Sequence, residues 1–113
     1  MNTHTSIPTS FEEIRKELDP SYSYMIFESD EKFRKSVVFL KIKAVFEQYE
    51  KGVFEQILYQ EKTTGRVLLV IKLNPDLAVM IKQEILNINL PENIVIYFYS
   101  NNRGGHNHIK ERL

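Results

Sequence analysis

Apolar residues in this chain recur with two different spacings, and the change from one to the other marks the elements. From Val53 to Leu73 they crowd into two runs, VFEQILYQEK and RVLLVIKL, separated by Thr63-Thr64-Gly65. Val, Ile, Leu, Phe and Tyr dominate both, as suits a pleated, half-buried surface. Gly65 can adopt positive φ without a Cβ clash, so the pattern predicts a hairpin with a three-residue loop. Pairing Lys62 with Arg66 would set Tyr59 opposite Leu69, Leu58 opposite Val70 and Ile57 opposite Ile71. The first arm mixes in Glu55, Gln56, Gln60 and Glu61, so it should lie near a sheet edge. The second contains Val67-Leu68-Leu69-Val70-Ile71 with no polar residue, the mark of a central strand.

Elsewhere the spacing is helical. Ser10-Phe11-Glu12-Glu13 matches a capping box, and Phe11, Ile14 and Leu18 follow on one narrow stripe that Asp19-Pro20 ends. Asn74-Pro75-Asp76 combines a cap, a proline suited to the first helical position and an acid suited to the helix dipole. Leu77, Ala78, Ile81, Ile85 and Ile88 then form a buried stripe, with Lys82, Gln83 and Glu84 facing water. Tyr22–Glu28 and Ile94–Tyr99 read as the first and last strands.

Asp30–Lys51 carries both periods. Ser29-Asp30-Glu31 resembles a helix start and Lys51-Gly52 a helix stop. On a helical projection Phe33, Val37, Leu40 and Ala44 make one apolar stripe, while Ile42, Val45, Phe46 and Tyr49 make a second. A helix apolar on two sides must be covered on two sides. The reading adopted is one long helix; the competing one is a strand through Ser36–Tyr49 that pairs with Val53–Lys62.

These elements give an α+β domain: a short N-terminal helix, then strand–helix–strand–strand–helix–strand. That is the order of the ferredoxin-like βαββαβ sandwich. The alternative is a four-strand antiparallel meander followed by a helix and a fifth strand. Residues 1–8 are expected to be a flexible N-terminus, 9–100 the single domain, and 101–113 a polar C-terminal tail. At 113 residues the chain can bury a modest core without staples.

Composition narrows the chemistry. With no cysteine, disulfides, thiol catalysis and Cys-ligated zinc are excluded, and a cytoplasmic setting fits. The net charge of zero provides no overall field to attract nucleic acid or an anionic membrane. Charge is nevertheless segregated: residues 12–31 are mainly acidic, whereas Lys32, Arg34, Lys35, Lys41 and Lys43 make 32–43 basic. No apolar run nears the roughly 20 residues of a membrane span, and Met1–Ser10 lacks the pattern of a secretory signal.

No catalytic constellation stands out. Phosphate-binding and dinucleotide-binding glycine motifs and the nucleophile elbow are missing. His106 and His108 would point the same way on an extended chain and could bind a metal with His4 or Glu111, but they lie in the polar tail. The third strand lacks the aromatics with which RNA-recognition sheets stack bases. No cofactor or metal is therefore expected. The aromatic surplus suggests an interface, because Tyr packs and still hydrogen-bonds. The expected function is a small non-enzymatic interaction or regulatory module. It would self-associate or bind a protein through its sheet face or the Ile94–Tyr99 edge, using Tyr97, Tyr99, Tyr24, Phe46 and Tyr49. The alternative is a nucleic-acid- or phosphate-binding protein, such as a small nuclease, using Arg34, Lys41, Arg103, His106, His108 and Lys110.

Overall fold

A computed structural model of the chain describes residues 2–4, 14, 16–61, 64–100 and 109–113, with residues 2–4 described as backbone. The elements are β1 (Asn2–His4), β2 (Ser23–Ser29), α1 (Val37–Gln48), β3 (Val53–Gln60), β4 (Val67–Leu73), α2 (Pro75–Leu86), β5 (Val95–Ser100) and β6 (Ile109–Arg112). A 3-10 helix, Glu31–Lys35, precedes α1, and a second, Glu50–Gly52, follows it.

Strands β2 to β6 form an antiparallel sheet in the order β3-β4-β2-β5-β6, and β1 adds parallel to β3 beyond that edge. The domain is α+β, as the sequence predicts, but the sheet is wider than a four-stranded ferredoxin-like sandwich. Residues 109–112 lie in the expected polar tail and instead pair with β5 as strand β6. Consequently Ile94–Tyr99 is not an edge: β5 lies between β2 and β6. The apolar arm β4 is central, as its composition requires, between β3 and β2.

The meander alternative fails because Val37–Gln48 is helical. The long helix is itself shortened. Ser36 adopts an extended conformation (φ −84°, ψ 155°), and its Oγ accepts from the Phe39 N–H at 3.1 Å, capping α1. The Ser36 hydroxyl also donates to the Phe33 carbonyl at 2.7 Å, closing the preceding 3-10 turn. One serine thus ends one helix and starts the next, a role open to a short hydroxyl side chain.

The hairpin register differs from expectation by one residue. Leu58 pairs with Leu69, Ile57 with Val70 and Tyr59 with Leu68. Glu61 and Arg66 close the loop, with the Glu61 N–H donating to the Arg66 carbonyl at 2.9 Å. Gly65 takes φ +72°, as predicted, and its N–H donates to the Glu61 carbonyl at 2.8 Å. The shift matters because neighbouring positions along a strand face opposite ways. It sends Leu58 to the helix-covered face and Tyr59 to the other.

Helices α1 and α2 cover one face of the sheet. Phe27, Phe46, Met25, Ile42, Leu58, Leu69, Ile71, Ile81 and Ile85 are buried between the layers, with the Phe27 and Phe46 rings 6.0 Å apart edge to face. The second stripe of α1 supplies this core through Ile42 and Phe46, joined by Phe39. On α2 the predicted stripe holds, with Ala78, Ile81 and Ile85 buried. Lys82 does not face water freely: its Nζ lies 3.2 Å from Glu111 Oε1 on β6 and 5.0 Å from the Phe98 ring centre. Leu113 packs on the same core, so the C-terminal end of β6 is held by an ion pair and by apolar packing.

The other face has its own smaller core of Tyr24, Ile26, Leu68, Val70 and Tyr99. Ile14 and Leu18 pack on it, so the N-terminal segment covers the sheet rather than the second side of α1. Of the expected Phe11–Leu18 helix, Ile14 and Lys16 are helical, Glu17 is in a turn and Leu18 has left the helix, while residues 11–13 and 15 lie outside the described residues.

Candidate functional site

Three surfaces could carry function: the tyrosine-bearing sheet face, the outer side of the helix layer, and the basic turn before α1. Five of the six tyrosines, Tyr22, Tyr24, Tyr59, Tyr97 and Tyr99, lie on the sheet face opposite the helices. Alternation along β2 and β5 puts them there, since Tyr24 is opposite Tyr99 across the strand pair and Ile26 opposite Tyr97. This face is not open. Tyr24 and Tyr99 are each only 6% exposed. The Tyr24 hydroxyl accepts from the Asp19 N–H at 3.2 Å, which ties the N-terminal segment to the sheet.

Burial sets the acid–base behaviour of this face. It disfavours the phenolate of Tyr24 and lifts the hydroxyl above its usual pKa of 10.0; the Asp19 N–H acts in the opposite direction, and the nearby Asp19 and Glu55 carboxylates add to the rise. Tyr59 is raised for the same main reason, with Glu55 and Glu17 contributing. Cations flank the rings: Lys110 Nζ is 4.6 Å from the Tyr97 ring centre and Lys72 Nζ is 4.1 Å from that of Tyr22. Tyr22 in turn meets Phe54 edge to face at 5.5 Å.

Of the predicted interface residues, Phe46 is a core residue at 1% exposure, and Tyr24 and Tyr99 are buried within the chain. Tyr49 is half-buried against the main core, and Tyr97 is half-buried on the opposite face. They do not form one surface. The large apolar side chains that reach solvent lie mostly on the helices. Val37 and Leu40 on α1 are 67% and 65% exposed; Val79, Met80 and Leu86 on α2 are 58%, 53% and 44% exposed. The first stripe of α1, Val37-Leu40-Ala44, therefore faces solvent. Its signal was present in the sequence as the second apolar side of a helix. That of Val79 and Met80 was hidden, because they follow directly on the core-facing Leu77 and Ala78.

The basic turn is more ordered than its charge suggests. Asp30 caps it by accepting from the Lys32 N–H at 3.0 Å, and Asn93 holds the Asp30 carboxylate from the far loop at 3.3 Å. Phe33, 3% exposed, anchors it against Phe39 with ring centres 5.1 Å apart. Arg34 donates from Nη1 to Gln60 Oε1 on β3 at 3.4 Å.

The described residues of the nucleic-acid alternative, Arg34, Lys41 and Lys110, lie on three separate elements. Arg34 belongs to the 3-10 turn and Lys41 to α1, with the Ser36 break between them. Lys110 lies on β6, four strand spacings from the β3 strand that Arg34 touches, or roughly 19 Å. Arg103, His106 and His108 lie outside the described residues. Among the described residues no group of His, Asp and Glu could hold a metal ion, and no helix is long and apolar enough to cross a membrane. Comparison with known proteins found no match to a family model, to a curated protein or to a solved structure.

Proposed function

We propose that the chain is a small non-enzymatic interaction module that self-associates through the solvent side of its two-helix layer. The unit β2-α1-β3-β4-α2-β5 is read as a ferredoxin-like core to which β1 and β6 add edges, with the helices as its outer layer. The observation that carries the proposal is the exposure of Val37, Leu40, Val79, Met80 and Leu86 on α1 and α2, which pack on the same sheet face. A second copy is the occupant favoured by charge, because a chain of zero net charge has no overall repulsion against itself.

Burying the exposed remainder of such side chains yields about 1 kcal/mol each, so ten across a two-fold interface give about 10 kcal/mol. Association itself costs on the order of 4–15 kcal/mol. The dimer is thus a weak one, and the assay must reach high protein concentration. Light scattering from micromolar to about millimolar protein should show a mass rising from 13.4 kDa toward twice that value. Leu40→Glu and Met80→Glu should hold the mass at that of one chain without changing the melting temperature. A wild-type chain that stays monomeric throughout would refute the proposal. So would a dimer that survives both substitutions and is broken by Tyr97→Asp.

A further inference from the structure

The basic turn and the end of β3 border an open cleft of about 580 Å³ that the helix-layer reading does not use. Among the described residues it is lined by Glu31, Lys32, Arg34, Lys35 and Gln60. Its volume falls in the range of small-molecule sites, roughly 300–1,000 Å³. From this cleft we infer a binding site for a nucleoside phosphate, in which the cations hold the phosphates and Glu31 and Gln60 hold the nucleoside.

The placement of charge supports this division. A 3-10 helix has three residues per turn, so residues three apart lie one above the other. Lys32 and Lys35 therefore share one ridge, and Glu31 and Arg34 the next. No carboxylate pairs with Lys32, Arg34 or Lys35 among the described residues. Three cations against the single carboxylate of Glu31 line the cleft, which favours an anionic ligand. Arg34 is steadied by Gln60, and its fork geometry matches two phosphate oxygens at once. The turn itself is fixed by the Asp30 cap, the Phe33 anchor and the Ser36 hydroxyl, so binding does not have to order the backbone.

Glu31 decides between ligands. A cleft lined only by cations would suit a bare polyphosphate, whereas a carboxylate in the lining repels one that fills the space. It accepts hydrogen bonds from hydroxyl or amino groups, as a ribose or a base offers. The Gln60 amide, whose oxygen already accepts from Arg34, has its N–H groups left as donors. Cations set beside a carboxylate and an amide suit a ligand that carries phosphates together with hydroxyl or amino groups, as a nucleoside phosphate does.

The test uses the full chain, isotope-labelled, titrated with adenosine triphosphate and, separately, with inorganic pyrophosphate at low salt. Amide shifts should concentrate at 31–35 and 60. The triphosphate affinity should fall at least ten-fold in Lys32→Ala/Lys35→Ala and in Arg34→Ala, and these exposed substitutions should leave the fold intact. Glu31→Gln should tighten pyrophosphate and narrow its difference from the nucleotide. Shifts that map elsewhere, or none at millimolar ligand, would overturn the site. Pyrophosphate binding as tightly as the nucleotide to the wild-type chain would overturn the role of Glu31 and with it the assignment of the ligand.

Discussion

Replacing Gly52 by alanine tests how closely the second helix layer seats on the chain that enters β3. Gly52 is buried, and its carbonyl accepts from the Asn74 N–H at 2.8 Å, joining the end of the α1 segment to the start of α2. A Cβ at this position would meet Leu77 Cδ1 at 2.9 Å, Leu77 Cβ at 3.0 Å and Ile81 Cδ1 at 3.1 Å. The two terminal methyl carbons can rotate away. Leu77 Cβ cannot, because it moves only with the α2 backbone. Gly52 does not have positive φ, so the substitution adds no backbone strain and the effect is steric. Overpacking of this kind costs about 1–3 kcal/mol. Stiffening the unfolded chain returns about 0.4–1 kcal/mol, so the net loss should be about 1–2 kcal/mol. For a chain of this length that lowers the melting temperature by roughly 4–8 °C. Urea unfolding followed by circular dichroism reads the difference directly. Leu77→Ala removes the movable Cδ1 but keeps Cβ, so in the same chain it should leave most of the cost of Gly52→Ala in place. A Gly52→Ala protein as stable as the wild type, or a cost abolished by Leu77→Ala, would refute this account of the junction.

Gly65 should respond for the opposite reason. Its nearest contact to an added Cβ is Glu31 Oε2 at 3.4 Å, which is ordinary, but its φ of +72° strains any L side chain. Gly65→Ala should therefore lose about 1 kcal/mol and Gly65→Asn less, by the same urea assay. Phe46→Ala removes a ring at the centre of the main core and should cost about 3–5 kcal/mol, enough to populate unfolded chain at room temperature. Lys82→Ala should loosen β6 by about 1 kcal/mol, seen as roughly five-fold faster amide exchange at 109–112 with exchange in β4 unchanged. The tyrosines set the alkaline limit. Because Tyr24 and Tyr59 are raised when folded, their contribution is whole below pH 10 and is lost as pH rises through their folded values. Phenolate absorbance should show Tyr24 and Tyr59 titrating above the ordinary value of 10.0, and Tyr59→Phe should flatten the fall in stability above pH 10.

What the sequence made legible was whatever depends on neighbours within one element. The cap at Asn74, the stripe Ala78-Ile81-Ile85, the positive φ of Gly65 and the central position of β4 each follow from a few adjacent letters. What escaped depends on contacts far along the chain. The hairpin register turned on whether Lys62 or Glu61 closes the loop, and both can face water, so no burial term separates them. Only the demand that Leu58 face the helices chooses. Residues 109–112 read as tail because Lys110, Glu111 and Arg112 carry no strand signature. They become a strand through distant partners: Lys82 for Glu111, and the Tyr97 ring for Lys110. The candidate surfaces were half legible for the same reason. Two apolar stripes on α1 announced that one would need cover, and the pattern could not say which stripe the sheet would take.

The edges of the sheet bear on how copies could meet. Among the described residues, none pairs with the outer side of β6, and such an edge is the usual template for adding a strand from another chain. A two-fold pairing of β6 with itself must set residues of like parity opposite each other, because directly opposed residues share a face. One such register opposes Glu111 to Glu111 and Lys110 to Arg112; the next opposes Lys110 to Lys110. Each places like charges against each other, which destabilises the pair. The exposed β6 is therefore guarded against its own copy by the residues that disguised it as a tail. On the opposite sheet face Tyr24 and Tyr99 are already buried, and Ile14 and Leu18 pack over that core. A second copy would then find its apolar complement on the helices, where Val37, Leu40, Val79 and Met80 remain more than half exposed.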